Sequence, residues 1–254
     1  MSLFDLKDRV AVVTGASSGL GVQIANALAE AGAHLVLAAR RGDRLVELAE
    51  KLATRGVRAH PVPCDVSSEA QVDELVDATL AHYGQVDVLV NNAGITEVVP
   101  AETQTRESFQ QVVDVNLLGV FLCTQRFGRR MLGAGRGSIV NVASMLGLVG
   151  VGQVPQAAYA ASKGAVINMT REFAAQWARR GVRVNCLAPG WFETEMTGEM
   201  FGDERSLHWM RTRTPMGRAG QPGELSGALL LLASDASSFI TGQTIVVDGG
   251  WTIV

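Results

Sequence analysis

The feature that most narrows the fold of this chain is a set of seven short β-rich runs, several of them apolar without alternation. They are Arg9–Thr14, His34–Ala38, Arg58–Cys64, Val86–Asn91, Gly137–Ala143, Val182–Ala188 and Gln243–Asp248. A strand with one wet face alternates apolar and polar residues, whereas a strand covered by helices on both faces does not. Helical patterns lie between the runs. Leu45, Leu48 and Leu52 recur at helical spacing, and Ser68 with Gln71 has the form of a capping box before the stripe Val72, Leu75, Val76 and Leu80. Long helices are expected over Glu107–Met131 and Ala157–Arg180, and a last one near Pro222–Ala233. This alternation predicts an α/β fold, a doubly wound parallel sheet of about seven strands with right-handed crossovers and helices on both faces.

At 254 residues the chain suits one domain of this class, large enough to bury a core and still shape a cleft. No linker, repeat or low-complexity stretch divides it, so residues 1–254 read as a single domain. Only Pro189–Pro215 resists the pattern; it is too long and irregular for a simple connection and is expected to form a substrate lid. With 22 basic and 25 acidic residues, the net charge of -3 offers no field for nucleic acid, and no basic amphipathic segment suits a membrane surface. Cys64, Cys123 and Cys186 are far apart, and the histidines (His34, His60, His82, His208) are isolated. Neither a disulfide framework nor a metal site is indicated, and free thiols suit a reducing compartment. The first eight residues do not read as a signal peptide and no apolar run is long enough to span a bilayer, which gives the expectation of a cytoplasmic protein.

Directly after the first run comes Thr14-Gly15-Ala16-Ser17-Ser18-Gly19-Leu20-Gly21. Glycines in such a turn let the backbone approach a pyrophosphate, while the following helix aims its first N–H groups at the phosphate charge. A lone glycine-rich turn is weak; one between a first strand and a first helix points to a Rossmann-type dinucleotide site. Gly15, Ser17, Ser18, Gly19, Leu20 and Gly21 are its candidate residues. The second run ends Leu37-Ala38-Ala39-Arg40-Arg41, with Ala39 where an acid would bond the ribose 2′-hydroxyl of NAD. A guanidinium is a fork of donors suited to phosphate. Arg40, with Arg41, is therefore expected to bind the 2′-phosphate of NADP, which favours NADP(H) over NAD(H). The alternative is two solvated strand-end arginines.

Tyr159-Ala160-Ala161-Ser162-Lys163 opens a predicted helix, so Tyr159 and Lys163 share one face. Free tyrosine, with a pKa of about 10, is a poor base at neutral pH, and a neighbouring ammonium favours its phenolate. The pair suits a tuned acid/base, although a surface tyrosine would explain the pattern taken alone. It is not alone. Thr14–Gly21, Asn91-Asn92-Ala93-Gly94, Asn116 in Val115-Asn116-Leu117, Ser144, Tyr159 with Lys163, Pro189-Gly190 and Gly242–Gly250 follow in order along nearly the whole chain. In these motifs the chain resembles the short-chain dehydrogenase/reductase family, of the NADP-preferring carbonyl reductase or ketoreductase type.

The resemblance implies NADPH-dependent reduction of a ketone or aldehyde to an alcohol, reversible as alcohol oxidation. It makes Tyr159 the general acid of reduction and the base of oxidation, with Ser144 holding the substrate oxygen. Lys163 would bond the nicotinamide ribose and depress the Tyr159 pKa, and Asn116 would anchor a water passing protons from Lys163. Asp65, with Val66, would meet the adenine; Asn91, Asn92, Ala93 and Gly94 the adenosine side; Pro189, Gly190 and Thr194 the nicotinamide amide. Family members are commonly homotetramers, and Leu117, Leu118, Val120, Phe121, Phe173 and Trp177 are candidates for such contacts or for the core.

Ser144 and Tyr159 stand fifteen residues apart, slightly farther than the family pattern, which enlarges the loop Met145–Gln156. That loop holds no charged residue: Met145, Leu146, Leu148, Val149, Val151 and Val154 dominate it. Val98 and Val99 precede it in the chain, and the lid adds Trp191, Phe192, Met196, Met200, Phe201, Trp209 and Met210. If these line the cleft, the substrate is a neutral hydrophobic ketone; if they pack in the core or between subunits, that expectation falls. Other readings are an NAD-dependent alcohol or sugar/polyol dehydrogenase, an epimerase or dehydratase using the cofactor transiently, and a catalytically silent dinucleotide-binding protein.

Overall fold

The strands are apolar on both faces because each separates two packed layers. In a computed structural model, which describes residues 3–254, seven parallel strands form one sheet in the order β3-β2-β1-β4-β5-β6-β7. They are β1 (Val10–Thr14), β2 (His34–Ala39), β3 (Ala59–Pro63), β4 (Val88–Asn91), β5 (Gly137–Val142), β6 (Val182–Pro189) and β7 (Thr244–Val247). The helices are α1 (Gly19–Glu30), α2 (Gly42–Ala53), α3 (Glu69–Tyr83), α4 (Arg106–Val113), α5 (Gly119–Ala134), α6 (Ala157–Trp177), α7 (Gly198–Phe201), α8 (Glu204–Arg213) and α9 (Ser226–Ala233). Ala11 and Val13 of β1 pack with Ile24 and Leu28 of α1, Leu45 of α2 and Leu229 of α9. Val12, between them, packs on the other side with Leu75 of α3, Phe127 of α5 and Trp177 of α6. Pro61 and Pro63, which donate no ladder hydrogen bond, fall on β3, the edge strand.

The order reverses between β1 and β4. From β1 the chain runs outward through β2 and β3, then returns to lay β4 against the other side of β1, with Val12 beside Leu89. Thr14 and Asn91 therefore end neighbouring strands at the crevice where open α/β sheets bind ligands. Among the described residues no helix is long and apolar enough to cross a membrane.

Three elements differ from the sequence expectation. The helix over Glu107–Met131 is interrupted: α4 and α5 are joined by a π-helical turn, Asp114–Leu118, centred on Asn116. Such turns widen the helix by one residue and occur often at functional sites. The capping box at α3 is half made: the Ser68 hydroxyl accepts from the Gln71 N–H at 3.4 Å, but Gln71 Oε1 accepts from the Asp65 N–H at 2.8 Å instead of returning to Ser68. The last helix starts at Ser226, four residues beyond Pro222. The assembly candidates mostly serve this chain's own interior, since Val120, Phe173 and Trp177 are buried and Leu117 and Phe121 pack on core clusters. Leu118 remains exposed.

A Cβ at Gly128 of α5 would lie 2.6 Å from the Trp177 ring, so this glycine sets how closely α5 approaches α6. Gly128→Val should lower the unfolding free energy by about 2–3 kcal/mol through overpacking. Urea denaturation would read this, and an unchanged midpoint would show that α6 can move aside.

Candidate active site

The glycine-rich turn is closed by contacts that leave no room for side chains. Gly15 has φ +67°, and a Cβ there would lie 2.8 Å from Ala93 Cα; a Cβ at Gly21 would lie 2.0 Å from the Gly15 carbonyl oxygen. Thr14 straps the two turns together. Its hydroxyl accepts from the N–H groups of Asn92 and Ala93 at 3.0 and 3.1 Å, and Asn92 Nδ2 donates to the carbonyls of Thr14 and Gly15 at 3.1 and 3.2 Å. Ser18 precedes α1 without capping it by its side chain, so the first N–H groups of a twelve-residue helix are left for an anion. A cradle closed to side chains and open to phosphate fits a dinucleotide.

One cavity of about 600 Å³ collects most of the residues singled out in the sequence. Gly15, Ser17, Ser18, Gly19, Leu20, Arg40, Arg41, Asp65, Val66, Asn92, Ala93, Gly94, Ser144, Tyr159, Lys163, Pro189, Gly190 and Thr194 line it. Three do not. Gly21 is buried against Gly15, where its role is to close the turn. Asn91 lies beneath the cavity in a polar ladder, donating to Thr124 Oγ1 at 2.9 Å and Asn141 Oδ1 at 2.8 Å. Asn116 is fully buried; its Oδ1 accepts from the Ile95 N–H at 2.8 Å, and its Nδ2 donates to the Ile95 carbonyl at 2.9 Å and to Ser162 Oγ at 3.2 Å.

Thr96, Glu195 and Thr197 had no motif to mark them, while Thr14 and Val115 stood inside motifs without a role of their own; all but Thr14 line the cavity. Position at the carboxyl end of a strand, or just after one of the motifs, was the only sequence signal available. Glu195 lies at the rim: its carboxylate takes Arg41 at 3.0 Å and also pairs with Arg44. Arg41 further donates to Ser17 Oγ at 3.2 Å and Ser18 Oγ at 2.6 Å. These charges hold the Glu195 carboxyl down to about 2, Arg44 contributing most. Burial raises the Asp65 pKa, but hydrogen bonds from Ser67 and the charge of Arg40 outweigh it and leave the carboxyl below its ordinary value.

At the other end, Ser144 begins a single 3-10 turn (Met145–Gly147), and its hydroxyl oxygen accepts from the Leu146 N–H at 3.1 Å. That bond occupies an acceptor site and leaves the O–H as a donor. Gly147 packs this turn on α6, where a Cβ would meet the Lys163 carbonyl carbon at 2.7 Å. Tyr159 and Lys163 stand one turn apart near the start of α6. Lys163 is buried, and its Nζ donates to the Val142 carbonyl at 2.8 Å and lies 5.6 Å from the Tyr159 ring centroid. Desolvation lowers its pKa to about 8. The expected depression of the Tyr159 pKa is not what this arrangement gives. Burial pushes the phenol up, and the hydrogen bond with Ser144 offsets only part of that. A lysine already engaged on a backbone carbonyl leaves desolvation to dominate.

The apolar residues expected in the substrate pocket mostly pack on one another. Met145, Leu146, Trp191, Met210 and Trp251 form a buried cluster, with Val149, Val151, Val154, Met200, Phe201 and Trp209 against it. Trp191, Trp209 and Trp251 meet edge to face at 5.0–5.7 Å. Of the aromatic and methionine side chains expected there from Pro189–Pro215, Phe192 and Met196 line the cavity.

The buried lysine has a consequence for stability. Folding lowers its pKa from 10.5 to about 8, so between these values the unfolded chain binds more protons and stability rises with pH. The stability difference between the wild-type protein and Lys163→Met should be flat below about pH 8 and climb in favour of wild type towards pH 10.5. Thermal unfolding across this window would show it, and a difference that stays flat would contradict the buried ammonium.

Comparison with known proteins follows the same lines. A family model described as enoyl-(acyl carrier protein) reductase matches residues 15–252. Gluconate 5-dehydrogenase of Gluconobacter oxydans (strain 621H) is 41% identical over 252 residues, covering 99% of this chain and 97% of that protein. A crystal structure of a gluconate 5-dehydrogenase from Burkholderia cenocepacia J2315, in complex with NADP and tartrate, superimposes with a TM-score of 0.95 at 41% identity, covering 99% of this chain and 98% of the other. A short-chain type dehydrogenase/reductase from Mycobacterium marinum gives a TM-score of 0.95 at 39% identity, with coverage of 99% and 98%. With a parallel seven-stranded sheet, the glycine turn at its switch point and full-length relatives of this kind, the chain belongs to the short-chain dehydrogenase/reductase family.

Proposed function

We propose that this protein interconverts an alcohol and its ketone or aldehyde with NADP(H), using Tyr159 as the proton donor or acceptor. The observation that carries this reading is that Ser144, Tyr159 and Lys163 open into the same cavity as the glycine turn and Arg40 with Arg41. When bound, the nicotinamide supplies or accepts the hydride. Gly15, Ser17, Ser18, Gly19 and Leu20 would hold the pyrophosphate, with Gly21 keeping the turn closed. Arg40 and Arg41 would hold the 2′-phosphate, and Asp65 and Val66 the adenine. Asn92, Ala93 and Gly94 would line the adenosine side; Pro189, Gly190 and Thr194 the nicotinamide amide; Tyr159 and Lys163 the nearby ribose.

In reduction the substrate oxygen accepts hydrogen bonds from Ser144 and Tyr159, and the phenol proton passes to that oxygen as negative charge develops on it. The raised phenol pKa keeps this proton in place at neutral pH. Lys163 then stabilises the phenolate until it is reprotonated, and oxidation reverses these steps. Asn116, whose amide holds Ile95 and Ser162 in place, would anchor the water that passes protons from Lys163.

The substrate reading turns on the lid. A large hydrophobic ketone would need the aromatic residues that pack among themselves. A small hydroxylated substrate, such as the sugar acid named in the gluconate 5-dehydrogenase relative, suits a cavity whose lining includes Ser144, Tyr159 and Thr96. We favour the second. The exposed apolar side chains Phe109, Leu118, Phe239 and Ile253 support assembly into an oligomer, of which the homotetramer is our reading.

Absorbance of the reduced nicotinamide would test the reaction, with polyols and sugar acids as alcohols and hydrophobic ketones as carbonyls. Tyr159→Phe should lower kcat by about 10²–10⁴-fold with little change in KM. Retention of the wild-type rate would remove Tyr159 from the chemistry. NADP(H) should be used in preference to NAD(H), and the opposite order would overturn the phosphate role of Arg40 and Arg41.

A further inference from the structure

We infer that Glu195 tunes cofactor choice: this lid carboxylate holds the Arg41 guanidinium against the claim of a 2′-phosphate. The inference rests on the reading of Arg41 as a phosphate ligand. All three nitrogens of the Arg41 guanidinium are engaged, Nε by Ser17, one terminal nitrogen by Ser18 and the other by Glu195 Oε2. The second carboxylate oxygen of Glu195 is held by Arg44. Ser17, Ser18, Arg40, Arg41 and Glu195 line one cavity, so the carboxylate sits among the groups that an incoming phosphate would seek.

The position of Glu195 is fixed by its neighbours. The Thr194 N–H donates to the Thr197 hydroxyl at 3.0 Å, and that hydroxyl donates to the Phe192 carbonyl at 2.7 Å. Thr194 also faces the glycine turn, its Cβ 3.2 Å from where a Cβ on Gly19 would lie. Glu195 is thus presented across the cavity mouth by a hydrogen-bonded turn, while its own carboxylate is half exposed and can swing out.

Two consequences follow. A cofactor with a free 2′-hydroxyl leaves the Arg41–Glu195–Arg44 bridge intact. A 2′-phosphate repels the carboxylate and competes with it for Arg41, so binding must free Glu195 from that arginine and leave it on Arg44 alone. Glu195 therefore narrows the preference for the phosphorylated cofactor and links phosphate binding to release of the lid's first turn.

Calorimetric titration of the whole protein with 2′,5′-ADP and 5′-AMP separates this from activity. Glu195→Gln should tighten 2′,5′-ADP about fivefold, the scale of one exposed ion pair, and leave 5′-AMP unchanged. Unchanged or weaker 2′,5′-ADP binding in that variant overturns the inference. Arg41→Ser tests the reading beneath it. If Arg41→Ser weakens 2′,5′-ADP while Glu195→Gln does not tighten it, the phosphate role of Arg41 stands and the competition fails. If Arg41→Ser leaves 2′,5′-ADP untouched, the phosphate role fails and the competition with it.

Discussion

The close approach of Gly15 to the backbone of Asn92 and Ala93 is the contact on which the site depends. It lies at the ends of β1 and β4, where the strand order reverses and open α/β sheets form a crevice. A side chain at Gly15 would push the two turns apart, and one at Gly21 would reopen the first turn. Thr14 then turns proximity into register: one buried hydroxyl accepts two N–H groups from the neighbouring turn. The same few atoms thereby aim the start of α1 at the cavity and place Gly94 beneath Asn116 and Lys163. A Cβ on Gly94 would lie 3.3 Å from Asn116 Oδ1 and 3.5 Å from Lys163 Nζ. Cofactor cradle and catalytic end are thus two sides of one packed junction.

The π turn shows how a local irregularity serves that junction. A regular helix from Arg106 to Ala134 would give Asn116 no reason to be buried with both amide atoms engaged. The widened turn lets its side chain reach Ile95 on the strand side and Ser162 on α6 together. Those bonds tie the π turn, α6 and the segment after β4 together around Lys163. The Asn116 side chain thereby fixes the wall around the lysine.

What could be read from the sequence follows from whether a property is local. Strand composition, the glycine spacing and the Tyr159/Lys163 interval are short-range, and the sheet, the switch point and most cavity residues follow from them. The π turn at Asn116 could not be read: one inserted residue rotates the apolar stripe by about 100°, but α4 buries only Val112 and so offers no stripe against which to see the slip. The apolar lid could not be assigned either: Trp191 and Trp209 have the same composition whether they face a substrate or each other, and only tertiary packing decides. Glu195 was invisible for a related reason. Nothing in the run Glu193-Thr194-Glu195 announces that two arginines from the region after β2 will meet its second acid.

The pKa of Tyr159 is set more by burial than by its pairing with Lys163. Proximity of an ammonium suggests a lowered phenol pKa, but proximity is one of three influences, and burial acts on both partners at once. Here it penalises the phenolate and the ammonium alike, raising one pKa and lowering the other to about 8. At neutral pH Lys163 still holds its proton most of the time, with the Val142 carbonyl as its hydrogen-bond acceptor. A fold selected for stability alone would not keep a cation so placed, since replacing a buried charge by an apolar side chain commonly stabilises. Its place one helical turn from a protonated phenol, beside a cradle shaped for phosphate, fits the proposed reaction, in which negative charge would develop transiently at the phenol oxygen. In that reaction the cost of burying the lysine would be offset by its stabilisation of the phenolate.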